Sequence, residues 1–215
     1  MALFRTVLGP TAFLATLITS PAFAGEPGAV AWMLDETDHV FRAEEIGKLS
    51  LAASEMRAGD PLALDEYAPS GPFDVPTGTA RVYGFYEPDE ERVAQVAVVF
   101  SDAAPVCGSP MVEFDVDSET GALLDQAMLD EIAAITADGT KLRTAITGGS
   151  LSEGVSLVTL PSGAQFPAFS TGWGAGTYPV VSLKDGADQT LAIFFDFMGK
   201  NAGGDWLLPE ACPAS

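Results

Sequence analysis

The chain has 215 residues, and its 30 Asp and Glu against 10 Lys and Arg give a formal net charge of −20. A surface of that sign repels phosphate backbones and anionic lipid, which argues against nucleic-acid and membrane-surface roles. The charge reads first as a solubility device, and any partner it attracts by charge is cationic, a protein or a small molecule.

The first 24 residues have the pattern of a secretory signal. Arg5 is the only charge there; an apolar run from Thr6 to Ile18 follows, then Ser20-Pro21 and the small-x-small exit Ala22-Phe23-Ala24. Gly9 and Pro10 interrupt a run that is already too short to cross hydrocarbon, so the segment is expected to be removed rather than to anchor the chain. Cleavage after Ala24 would leave 191 of the 215 residues and, with Arg5 gone, take the charge from −20 to −21. No later segment is apolar enough to insert in a membrane, so the product is expected in the periplasm or medium as one globular domain over 25–215.

Gly25 to Gly28 reads as a loose start, followed by an apolar stretch from Ala29 to Leu34 that includes Trp32. Asp38 to Leu51 mixes charges with Val40, Phe41, Ile46, Leu49 and Leu51, a pattern for a short helix leading into a strand. Gly59-Asp60-Pro61 and Pro69-Ser70-Gly71-Pro72 punctuate an irregular region. Alternation from Arg81 to Tyr86, a charged turn from Glu87 to Glu91 and the Val-rich run Val93 to Phe100 predict a β-hairpin. Val112–Val116 and Ala122–Leu124 flank Asp117-Ser118-Glu119-Thr120-Gly121, which predicts a second hairpin-like turn.

Asp125 is placed to cap a helix that buries Leu129, Ile132, Ala133 and Thr136 and stops at Asp138-Gly139. Strands are expected over Val155–Leu160, Gln165–Phe169, Tyr178–Leu183 and Leu191–Phe197, the last two joined across Lys184–Asp188. Leu191, Ile193, Phe195 and Phe197 fall on one face, which should pack on the core. Antiparallel hairpins with one or two short helices predict an α+β fold, a single β-rich domain.

Chemistry-bearing motifs are scarce. His39 is the only histidine, no G-x-S-x-G elbow is present, and no Walker A or dinucleotide fingerprint occurs, so neither a catalytic constellation nor a cofactor is predicted. Cys107 and Cys212 are too far apart in sequence for a redox pair. In an exported chain they are expected to form a disulfide closing a loop of about 100 residues, with two free buried thiols as the alternative.

The carboxylates Asp115, Asp117 and Asp125, with Glu119, form an acidic cluster. Thr120 stands where a calcium loop needs glycine, and the bidentate twelfth-position glutamate is missing, so no metal site is predicted and the run reads as turn and cap chemistry. Gly172-Trp173-Gly174-Ala175-Gly176-Thr177-Tyr178-Pro179 is the most distinctive segment; Trp173 and Tyr178 either line a ligand groove or cover the core at a glycine-rich bend.

A series of short pieces resembles a bacterial family known only as domain of unknown function 4241. They are Gly59-Asp60-Pro61, Val75-Pro76-Thr77-Gly78, Phe100-Ser101-Asp102 and Phe114-Asp115-Val116-Asp117-Ser118 with Thr120-Gly121 and Asp125. Gly172-Trp173-Gly174, Gly176, Tyr178-Pro179 and Asp196-Phe197 complete the series, which covers about 47–197. Ala80, Ala122 and Ala175 depart from the residues that family favours. The resemblance implies a shared fold and no assigned activity. The expected function is a non-catalytic exported binding or accessory domain. A hydrolase using Asp115, Asp117 and Asp125, with or without a divalent cation, is the alternative.

Overall fold

Strands that are apolar on both faces need cover on both. The computed structural model meets this need by stacking two sheets and placing a helix on each outer side. It describes residues 27–36, 41–87, 92–137, 139–151, 153–198 and 210–213; the signal segment and His39 lie outside the described residues.

In chain order the elements are α1 (Gly28–Glu36), β1 (Arg42–Leu51), β2 (Glu55–Gly59), β3 (Ser70–Asp74), β4 (Gly78–Tyr86) and β5 (Val93–Val99). Then come β6 (Cys107–Gly108), β7 (Val112–Val116), β8 (Thr120–Leu124), α2 (Gln126–Ala137) and α3 (Leu142–Ala145). The chain ends in β9 (Val155–Thr159), β10 (Gln165–Ser170), β11 (Gly176–Lys184) and β12 (Thr190–Asp196). The first sheet runs β1-β4-β5-β12-β11-β6, with β7 also on β11, and the second runs β3-β2-β8-β10-β9. Every strand pairing within these sheets is antiparallel.

Side-chain alternation sorts the core into three layers. Val82, Val96, Val98, Val180, Ile193 and Phe195 of the first sheet meet Met56, Ala58, Leu123 and Phe169 of the second. Their neighbours Tyr83, Phe85, Ala97, Val99, Val181 and Phe194 point outward and are covered by Ala29, Val30 and Met33 of α1. On the far side of the second sheet, Ala122, Leu124, Val158, Phe166 and Ala168 lie under Met128, Leu129 and Ile132 of α2.

Phe195 anchors the central layer, with its ring 4.7 Å from Phe169 and 5.6 Å from Phe114. Each such buried aromatic contributes about 1.5–3 kcal/mol of transfer free energy. β5 is buried at all seven positions, as a central strand covered on both faces requires.

The predicted hairpins β4–β5 and β11–β12 form, and Ile193, Phe195 and Phe197 face the central layer as expected. Cys107 and Cys212 are joined as a disulfide with Cα atoms 4.9 Å apart, which overturns the free-thiol alternative. The Cys212 N–H donates to the Gly108 carbonyl at 2.8 Å, so the C-terminal tail extends the first sheet beyond β6.

Three expectations need correction. Arg42–Leu51 is strand throughout, with a bulge between Glu45 and Gly47, so no helix occupies that part of the Asp38–Leu51 run. The apolar stretch from Ala29 to Leu34, to which the sequence reading assigns no element, is helical, and its Ala29, Val30 and Met33 cover the first sheet. β7 and β8 do not pair with each other: β7 joins β11 in the first sheet, and β8 lies between β2 and β10 in the second. Residues 117–119 therefore form a corner between sheets, which uses the same turn chemistry as a hairpin. On α2, Ala133 and Thr136 are exposed, and Met128 takes the core position instead.

Candidate functional site

The sequence-nominated carboxylates each have structural work to do. Asp125 Oδ1 accepts from the Met128 N–H at 2.8 Å, which is the predicted helix cap. Asp115 is exposed on β7, where its Oδ1 accepts from the Thr177 hydroxyl of β11 at 2.6 Å. Asp117 opens the corner, and its backbone N–H donates to Asp60 Oδ2 at 3.0 Å. These carboxylates do not converge on one point, and among the described residues no three Asp, Glu, His or Cys side chains are grouped to hold a metal ion.

Asp60, part of Gly59-Asp60-Pro61, organises this corner. It is fully buried, and its carboxylate accepts from the N–H groups of Leu62, Asp117 and Ser118 and from the Ser118 hydroxyl, at 2.7–3.0 Å. Thr120, also buried, donates its hydroxyl to the Leu151 carbonyl. Glu119 turns the chain with a positive φ of 62°.

The glycine-rich segment packs beside this corner. The Thr171 N–H donates to the Glu119 carbonyl at 3.1 Å, and both the Thr171 and Tyr178 hydroxyls donate to the Gly174 carbonyl, at 2.6 and 2.8 Å. Gly172 needs its φ of +68° and its missing side chain, since a Cβ there would run into the Val93 carbonyl oxygen. Tyr178 is buried, its ring 5.4 Å from Phe197 and 6.4 Å from Phe114, so it is a core residue whose hydroxyl pins the bend. Trp173 is 39% exposed, with the Arg92 guanidinium 4.8 Å from its ring centroid. Of the aromatics nominated from sequence, Trp173 alone faces solvent.

Two concavities lie along α2, and another, of about 380 Å³, is walled by Glu55, Asp74, Pro76 and Asp188. The loop 60–69 leaves β2, turns back on itself and stands against the exposed side of the helix. Its shape is fixed by the Asp60 carboxylate on the Leu62 N–H and by backbone bonds from Ala63 to Asp60 and from Tyr67 to Ala63. Leu64 lines both lobes of the space between loop and helix. One, of about 370 Å³, is walled by Arg57, Leu64, Pro69, Gln126, Leu129 and Ala133. The other, of about 530 Å³, is walled by Pro61, Leu62, Leu64, Asp65, Ile132 and Thr136. Both fall in the size range of small-molecule sites; the smaller is mostly apolar, and the larger is lined about equally by polar and apolar surface.

Sequence reasoning missed this groove because its loop reads as an irregular stretch. The available signal was the pair Leu62 and Leu64, two large apolar residues set among turn formers, together with Ala133 and Thr136, which a fully covered helix would have buried.

One buried acid lies outside the groove. Asp196, at the end of β12, and its cross-strand neighbour Gln95 are both fully buried, and the Gln95 amide atoms and Asp196 Oδ2 make no hydrogen bond of good geometry. Burial pushes the Asp196 carboxyl up to about 7, opposed by the Met198 N–H on Oδ1 and by the nearby Gln95 amide. No protein-family model, curated protein or solved structure matches the chain.

Proposed function

We propose that this chain is a non-catalytic exported binding or accessory domain whose ligand sits in the groove between loop 60–69 and α2. The observation that carries the reading is the pair of lobes, about 370 and 530 Å³, that share Leu64, the smaller of them mostly apolar. Two further features support it. The loop is held by a buried carboxylate and its own backbone bonds, so the groove is built before a ligand arrives and binding does not have to order it. The acidic residues that a hydrolase would use are spread over a strand, a corner and a helix cap.

The family-like pieces Gly59-Asp60-Pro61 and Asp117-Ser118 meet in one hydrogen-bonded corner, which supports reading them as fold-determining. Kinship with that family stays part of this proposal.

Nile red, a neutral solvatochromic dye, tests the groove without interference from the protein's charge. Emission should shift to the blue on mixing with the folded chain. Ala133→Glu, which places a charge on the groove wall while keeping a good helix former, should weaken binding at least tenfold. Ala134→Glu, on the exposed helix surface outside the groove lining, should leave it unchanged. Dye binding that ignores Ala133→Glu, or no binding at all, would sink the proposal.

A further inference from the structure

Arg57 does not fit the layer it occupies. In β2 the neighbours Met56 and Ala58 point into the central layer, which sends Arg57 to the outer face of the second sheet. Its cross-strand partner there is Leu124, and the other positions on that face are Ala122, Val158, Phe166 and Ala168, all buried and apolar. A leucine or valine would complete this surface under α2. A half-buried arginine stands there instead, at the end of the smaller lobe.

The guanidinium is also without a counter-ion. Arg42, Arg81 and Lys184 each pair with a carboxylate, on Glu44, Asp102 and Asp188 respectively. The Arg57 side chain makes no ion pair or hydrogen bond among the described residues, in a chain with 30 acidic side chains to choose from. The other charged residue lining its lobe, Asp130, has its Oδ1 held by the Gln126 amide at 2.8 Å. The lobe also takes in Gln126, Leu129 and Asp130 of the first turns of α2, where the helix dipole presents its positive end. A partly desolvated guanidinium beside that end favours an anion, and carboxylate matches its planar fork.

We infer that the groove selects an amphipathic carboxylate, with the anionic head on Arg57 and an alkyl tail lying past Leu64 between loop 60–69 and α2. The inference rests on the groove being a binding site. The occupant is a small alkyl carboxylate rather than a peptide, because the walls offer a backbone little to bond to. Pro61 and Pro69 have no N–H, the α2 backbone beyond its first turn is bonded within the helix, and the Gln126 NH2 is already engaged. The net charge of −20 does not forbid an anion, since charges more than about 8 Å away are largely screened at physiological salt.

Displacement of Nile red by three ten-carbon amphiphiles tests this below their micelle concentrations: decanoate, decanol and decyltrimethylammonium. Decanoate should displace the dye at a concentration at least tenfold below either of the others. Arg57→Gln should remove that preference while still binding dye, and Arg57→Lys should retain part of it. Melting curves of both variants report whether the fold survives; if the Gln variant does not fold, the Lys variant and the wild-type ligand series still decide. Equal displacement by all three amphiphiles, or a decanoate preference that survives in Arg57→Gln, would overturn the carboxylate assignment. Loss of dye binding to the wild-type chain would instead remove the groove itself, so the two failures are distinguishable.

Discussion

At Asp196 a carboxyl group sits fully buried with one oxygen unpartnered, and its protonated form is favoured by the fold. The ordinary value of 3.8 describes the unfolded chain, and the folded value is about 7. Between those limits the folded state binds the proton more tightly than the unfolded state does. Stability from this group is therefore complete below about pH 4, falls as pH rises towards 7, and is flat above that. A tenfold difference in proton affinity between the two states is worth about 1.4 kcal/mol, so the loss amounts to a few kcal/mol. Asp196→Asn keeps the shape and removes the titration. In urea denaturation at pH 4.5, 6 and 8, the variant should lack the wild-type decline across that window and be the more stable of the two at pH 8. Parallel pH profiles for variant and wild type would show that Asp196 does not titrate there. Nothing in the local sequence marks this residue: Asp196 looks like any acid at the end of a strand, and its burial depends on Gln95 in β5, roughly a hundred residues earlier.

The corner between β7 and β8 shows where local reading of elements ends. Strand identity was legible because apolar periodicity is a local property, and the α2 cap was legible because Asp125 and the helix it caps are adjacent. Strand partnership was legible only for β4–β5 and β11–β12, whose strands follow one another across a short turn. Asp117-Ser118-Glu119-Thr120-Gly121 turns a hairpin or a sheet-to-sheet corner equally well, and what selects the corner is Asp60, which lies 57 residues before Asp117. The groove was hidden for the same reason, since Leu62 and Leu64 become walls only when loop 60–69 is folded against α2. Asp60→Asn tests the staple. One carbonyl oxygen and an NH2 group replace a carboxylate that accepts four hydrogen bonds, so at least two part-buried donors lose their acceptor. The expected cost is about 2–4 kcal/mol in urea denaturation. Because the same carboxylate shapes the groove loop, Nile red affinity should fall as well. A loss below about 1 kcal/mol with dye binding intact would show that the corner forms without its staple.

Taken as a whole molecule, the chain is closed by the bond between Cys107 and Cys212. Two helices cover the outer faces, and β1 and β6 lie at opposite ends of the first sheet. The edge at β6 is extended by the tail, through the Gly108–Ala211 bridge and the Cys212 N–H. Among the described residues the native contacts of that tail are few, so a disulfide there should act mainly on the unfolded chain. The bond links residues 105 positions apart, and closing a loop of that size removes unfolded-state entropy equivalent to about 4–5 kcal/mol. A Cys107→Ser/Cys212→Ser double variant should therefore keep its sheets and its dye binding while losing stability of that order, read as a lower urea midpoint. The slope of the transition separates the two possible origins of the loss. If the bond restrains the unfolded ensemble, cutting it lets that ensemble expand and expose more surface, and the slope rises. If the bond instead holds native packing at the β6 edge, the midpoint falls with the slope unchanged and exchange protection is lost locally around Cys107 and Gly108. A double variant within about 1 kcal/mol of wild type would refute both, and would leave the tail's backbone bonds to hold that edge by themselves.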